Sequence, residues 1–144
     1  MKTIRFPLAL LTLSLLSEAS ASTENAPRDG VFIHVSHGTN DPHQLLMALS
    51  MANTMADDYD VLVYFDVDAV SVVVSDFRDV EFAHFPSART QLASLEEKGA
   101  VLMACPGCLK VIDKGEEHLV EGVEIADKSK FFSFTDGRIL SLDY

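Results

Sequence analysis

Ala100-Val101-Leu102-Met103-Ala104-Cys105-Pro106-Gly107-Cys108 reads as a buried strand running into a helix, with both cysteines of the chain at the junction. Five apolar residues in a row, without polar alternation, suit a strand covered on both faces. Pro106 is pre-set for a first helical turn, which puts Cys105 near the N-cap, and Gly115 suits the end of that helix. At such a cap the backbone N–H groups lack helical partners and the local field is positive, so a thiolate is favoured over a thiol.

Working outward, similar runs occur at Val31-Phe32-Ile33-His34-Val35, at Val61-Leu62-Val63-Tyr64-Phe65 and at Arg138 to Leu142. The four are separated by about 30 to 40 residues, the length of a βαβ unit. Between the first two, Leu45, Leu49, Ala52 and Ala56 recur at helical spacing with no internal proline or glycine. Ser87 caps a second helix running to about Lys98, and Gly99 stops it. A short helix is expected from Asp127 toward Phe134, followed by an Asp136-Gly137 turn. Residues 69–74 suit either a strand or a buried helix, and 77–86 read as a long loop. The class is therefore α/β, a mainly parallel sheet with helices on both faces, and in such sheets sites gather at the carboxyl ends of the strands.

The chain opens with Lys2 and Arg5, an apolar stretch from Phe6 to Leu16, and Ala19-Ser20-Ala21. That order is the form of a cleaved secretory signal over residues 1–21, too short for a membrane span, and it implies an export compartment such as a bacterial periplasm. Residues 22–29 then read as a flexible leader and 30–144 as one domain with one core. Removing the signal makes the formal net charge of −11 one unit more negative. So acidic a surface disfavours nucleic acid and anionic lipid, which both need clustered Lys and Arg.

Three readings of the cysteine pair stay open from the residues alone. A disulfide across two intervening residues adds little to stability, so redox chemistry suits it better than a structural role. Copper or zinc is a second reading, with His37, His43 or Met103 completing the ligands, although one CxxC pair falls short of a closed zinc site. Sulfur transfer is the third. Position counts against a thioredoxin-like arrangement: the pair follows the third run rather than the first, and no proline lies beyond Pro106. Of the remaining polar groups, Asn40 or Asp41 suits a cap for the helix begun at Pro42. His37 and His43 read as surface groups and His34 as packed and hydrogen-bonded. Asp66 and Asp68 read as a solvated turn, Lys110 as a solvated helix face, and Phe131, Phe132 and Phe134 as core or subunit contacts.

The ordered set resembles the DsrE/DsrF-like family of sulfur-relay proteins. The features are the Val31 to Asp41 run and loop, the Gln44 to Ala56 helix, the Val61 to Phe65 strand, Leu102 to Lys110, and the closing pieces Leu119 to Ile125 and Gly137 to Leu142. The resemblance implies a three-layer sandwich with a parallel sheet of about five strands, assembled as a trimer or hexamer. It further implies that Cys105 carries a persulfide, with Cys108 as a second thiol that releases the sulfur or closes a disulfide, and a sulfur donor or acceptor as partner. No resident cofactor is expected. The family's well-known members act in the cytoplasm, so an exported member would not share their partners.

Overall fold

Parallel pairing of short apolar strands organises the protein, in a computed structural model that describes residues 26–144. The expected signal and the first half of the leader, residues 22–25, lie outside the described residues. Five strands, β1 (Gly30–Val35), β2 (Asp60–Phe65), β3 (Val101–Ala104), β4 (Val123–Ile125) and β5 (Ile139–Asp143), form one sheet in the order β4-β3-β2-β1-β5. Every pairing is parallel. The single domain is thus an α/β protein built on a parallel five-stranded sheet with helices, as the apolar runs implied.

Register explains what is buried. Ile33 lies opposite Val63 and Val63 opposite Leu102, while Val35, Phe65 and Ala104 form the next row. All six side chains are essentially inaccessible. Helices α1 (Pro42–Met55) and α2 (Ala88–Glu97) complete this core with Leu45, Leu46, Leu49, Leu92 and Leu95. Burying one such aliphatic side chain contributes roughly 1.5–3 kcal/mol before entropy is counted. Asp41 Oδ1 caps α1 by accepting from the Gln44 N–H at 3.0 Å, and Ser87 Oγ caps α2 by accepting from Thr90. Gly99, at φ +78, ends α2 in the left-handed region that glycine tolerates.

The ambiguous apolar run is a 3₁₀ helix over Val67–Val73, which buries Ala69, Val70, Val72 and Val73 in the same core. The opposite face of the sheet has a thinner cover. There Phe32, His34 and Tyr64 are only half-buried, and the short helix α4 (Lys130–Ser133) lays Phe131 edge-on against Phe32 and Tyr64, with centroids 5.7 and 5.2 Å away. Phe132 on the same helix is 81% exposed.

Three boundaries differ from the sequence reading. Helix α3 spans Pro106–Val111 and stops short of Gly115, because Ile112 leaves helical geometry and Asp113 turns to φ +54. Strand β4 was not among the four runs, since it has three residues and a glutamate in the middle. The expected 127–134 helix is confined to four residues. Near the leader, the Arg28 carbonyl accepts from the Thr135 hydroxyl, and Asp29 pairs with Arg138 at 2.5 Å.

A close approach holds the β1–α1 loop against the 3₁₀ helix: a Cβ on Gly38 would stand 2.4 Å from the Asp68 carbonyl oxygen. Backbone has little freedom to retreat, so Gly38→Ala is expected to destabilise by about 1–3 kcal/mol. Urea unfolding reads the loss as a lowered midpoint at unchanged slope, and an unchanged midpoint would refute the close packing of these two segments.

Candidate functional site

Cys105 follows β3, and its backbone N–H donates to the Phe65 carbonyl at 2.9 Å, extending the ladder from β2 one residue past the last strand pair. The chain then turns into α3 at Pro106. Cys105 Sγ becomes the N-cap acceptor and takes the Cys108 N–H at 3.4 Å. The two cysteines are free thiols and both are partly accessible.

Burial alone would raise the pKa of Cys105. The Tyr64 hydroxyl, the Cys108 thiol and the N–H groups of Cys108 and Gly107 outweigh it, so Cys105 lies below the ordinary thiol value. Cys108 moves the other way. Burial raises it first, followed by its hydrogen bond toward Cys105, with the charges of Cys105 and Asp66 adding to the effect. The pair is thus differentiated, with a thiolate favoured at Cys105 and a protonated donor at Cys108. Because α3 has only six residues, the local N–H groups rather than a long macrodipole carry this bias.

Cys108 Sγ also accepts from the Val67 N–H at 3.2 Å. Val67 lies two residues past the end of β2, has φ +45 and is 59% exposed. A β-branched residue in that region is an outlier that costs on the order of 1–3 kcal/mol, and such strain concentrates where surrounding structure holds a chain in a working conformation. Here the turn is held from both sides: the Asp66 N–H donates to the Val35 carbonyl at 3.1 Å and the Asp68 N–H to the Ser36 carbonyl at 3.2 Å.

Beside Tyr64 stands His34, its nearest neighbour across the β1–β2 ladder, stacked with ring centroids 5.9 Å apart. His34 Nδ1 donates to Asp143 Oδ1 at 2.5 Å, and Nε2 lies 2.9 Å from Asp66 Oδ1. That second approach is oblique, so Asp66 gains ion-pair attraction without a well-aligned hydrogen bond. Burial lowers the imidazole's ionisation, but the bonds to Asp143 and Asp66 and their charges overcome it and hold His34 above its ordinary value of 6.5. Tyr64 is pushed well above the usual phenol range, first by burial and then by its proximity to Cys105, which keeps the phenol protonated and able to donate.

The structure therefore brings Cys105 and Cys108 together, as their spacing required, and adds Tyr64, His34, Asp66 and Asp143. Asp66 is a correction: rather than marking a solvated turn, it faces an imidazole and lies within electrostatic reach of Cys108. Tyr64 carried one sequence signal, a hydroxyl-bearing residue at the carboxyl end of the strand beside β3. Asp143 carried none. The other histidines go elsewhere. His37 meets Ser36 Oγ at 3.2 Å, and His43 stacks on Phe82 and Phe85. Met103 is fully buried in β3. Among the described residues, no group of three or more His, Cys, Asp or Glu side chains is arranged to hold a metal ion, so the copper or zinc reading gains no ligand set here.

The His34 ion pairs make a pH-dependent contribution with a definite sign. A group whose folded value is raised stabilises fully below its unfolded value and loses that contribution as pH rises through the folded one. Wild type is expected to exceed His34→Gln in stability most below pH 6.5, with the difference shrinking above neutrality. Urea midpoints of both proteins across pH measure it, and a gap that widens with pH would contradict the assignment.

Neither a protein-family model nor a curated protein sequence matches the chain. Solved structures do, two of them as follows. The ychN protein from E. coli is 16% identical, with a TM-score of 0.62 over 80% of this chain and 99% of its own. A protein of unknown function, MTH1491 from Methanobacterium thermoautotrophicum, is 18% identical, with a TM-score of 0.57 over the same shares. Likeness at this identity speaks to architecture, and with the five parallel strands and the strand-end cysteine it shows that the chain has the DsrE-like fold.

Proposed function

We propose that this protein handles sulfane sulfur, with Cys105 as the thiol that receives it and Cys108 as the thiol that governs its release. The observation that carries the reading is the differentiated pair: Cys105 Sγ sits at the α3 cap, accepts the Cys108 N–H at 3.4 Å and faces the Tyr64 hydroxyl and the Cys108 thiol. A thiolate of lowered basicity at a partly exposed position is the attacking species that thiol exchange requires.

In the loading step the Cys105 thiolate attacks the outer sulfur of a donor persulfide. A new S–S bond forms at Cys105 as the donor's own S–S bond breaks, and the electron pair leaves on the donor thiolate. Sulfur moves with no net change of redox state. Release follows one of two routes. An external thiolate takes the outer sulfur and expels the Cys105 thiolate. In the other route, Cys108, having given up its proton, attacks the inner sulfur, expels hydrosulfide and leaves a Cys105–Cys108 disulfide. A dithiol reductant then supplies the two electrons that reset the pair.

The amino-terminal pattern supports an exported protein working in the periplasm, where sulfur donors and acceptors differ from cytoplasmic ones. A homo-oligomer is part of the same proposal. The thinly covered sheet face presents an apolar hollow of about 500 Å³ lined by Phe32, Phe131, Phe132 and Ile139, next to the edge strand β5. Exposed apolar surface beside an unpaired edge is where a second copy would pack.

Mass spectrometry of the pre-reduced protein after exposure to inorganic polysulfide tests the assignment. Wild type is expected to gain sulfur on Cys105 and Cys105→Ser to fall to background. Cys108→Ser is expected to load normally but discharge to added thiol more slowly. Absence of added sulfur on Cys105 in the wild-type protein would end this reading.

A further inference from the structure

His34, ion-paired with Asp143 and Asp66 and stacked on Tyr64, takes no part in loading or release as described. We infer that His34 is a positioning residue for the reactive thiol: clamped between two carboxylates and stacked on Tyr64, it fixes the phenol as a donor to Cys105 and couples that thiol's reactivity to its own charge. The inference rests on the proposed role of Cys105 as the reactive thiol, but not on the identity of the sulfur donor.

Geometry carries the argument. An imidazole with a carboxylate oxygen near each ring nitrogen, 2.5 Å at Nδ1 and 2.9 Å at Nε2, is best matched as the cation, which alone has a proton on both nitrogens. The carboxylates come from different elements, Asp143 from β5 and Asp66 from the turn after β2, so His34 is held from two sides. Its ring lies nearly parallel to that of Tyr64, at 24°, and Phe131 meets the phenol edge-on at 79°. A phenol packed against two rings has less freedom to swing its hydroxyl from the sulfur.

The titratable groups facing His34 are Asp66, Asp143 and Tyr64. On α4, which packs against Tyr64, the one cation beside Phe131 is Lys130, and it is taken up by Glu124 of β4. With His34 charged, the group of one imidazolium and two carboxylates carries one net negative charge. Once His34 loses its proton the charge doubles, close to Cys108 and its partner. More negative potential disfavours a thiolate, so deprotonation of His34 opposes the ionisation of Cys105. The site would respond to pH in the range where imidazoles titrate, below that of ordinary thiols.

Alkylation by iodoacetamide, resolved for each cysteine by peptide mass analysis across pH, tests the inference; a neutral reagent reports thiolate fraction without charge steering. In wild type, Cys105 is expected to react ahead of Cys108, with a secondary inflection from His34. His34→Gln is expected to abolish that inflection and slow Cys105 alkylation near pH 6 by about three- to tenfold. Tyr64→Phe is expected to slow it as well. In the Tyr64→Phe background, His34→Gln is then expected to add less than it does alone, the part that acts through the phenol being lost and the direct effect of the His34 charge remaining. Asp143→Asn, at a side chain 77% exposed, is expected to leave the fold intact and move the inflection to lower pH. Equal effects of His34→Gln with and without Tyr64, or an unmoved inflection in Asp143→Asn, would overturn the inference while leaving Cys105 as the reactive thiol. Failure of Cys105 to react ahead of Cys108 in wild type would overturn both.

Discussion

The site depends on one backbone hydrogen bond, from the Cys105 N–H to the Phe65 carbonyl. It carries the β2–β3 ladder one step beyond the last strand pair, so the point where β3 becomes α3 is docked against the point where β2 becomes a turn. Without that step the cysteine cap would be an isolated helix start. With it, Tyr64, one residue before Phe65, comes within reach of Cys105 Sγ, and Val67, two residues after, directs its N–H at Cys108 Sγ. Two thiols of identical intrinsic chemistry are thereby given opposite electrostatic surroundings.

The strained conformation of Val67 belongs to the same arrangement. Its positive φ directs the chain from the end of β2 into the 3₁₀ helix that buries Val70, Val72 and Val73. Hydrogen bonds from Asp66 and Asp68 to the end of β1 hold the turn in place, as does the tight passage of Gly38 over the Asp68 carbonyl. Core burial on one side and backbone bonds on the other oppose the local strain, and the result is a fixed donor for the second sulfur.

The sheet's asymmetry separates stability from chemistry. One face is sealed by α1, α2 and the 3₁₀ helix around inaccessible aliphatic side chains. The other is covered sparingly by α4 and keeps a polar trio, His34, Tyr64 and Asp143, in partial contact with water. Alternation along each strand assigns residues to these faces, so a single strand such as β1 places Ile33 and Val35 in the core while presenting His34 to the site.

Much was legible in the residues: apolar runs at βαβ spacing gave a parallel sheet, the caps at Asp41, Ser87 and Cys105 set helix starts, and proline inside a cysteine pair marked the site. These are local matters, governed by backbone geometry and by the alternation of burial within a few residues. What only the tertiary structure decided is the company the cysteines keep. Asp66 reads as a turn residue and Asp143 carries no signal until parallel pairing sets β5 beside β1 and β1 beside β2, bringing residues 34 and 143 within hydrogen-bonding distance. Short β4 joins the sheet because β3 offers it a ladder, not because three residues with a central glutamate favour a strand. Contacts of that kind arise from register between distant segments, and no local preference encodes register.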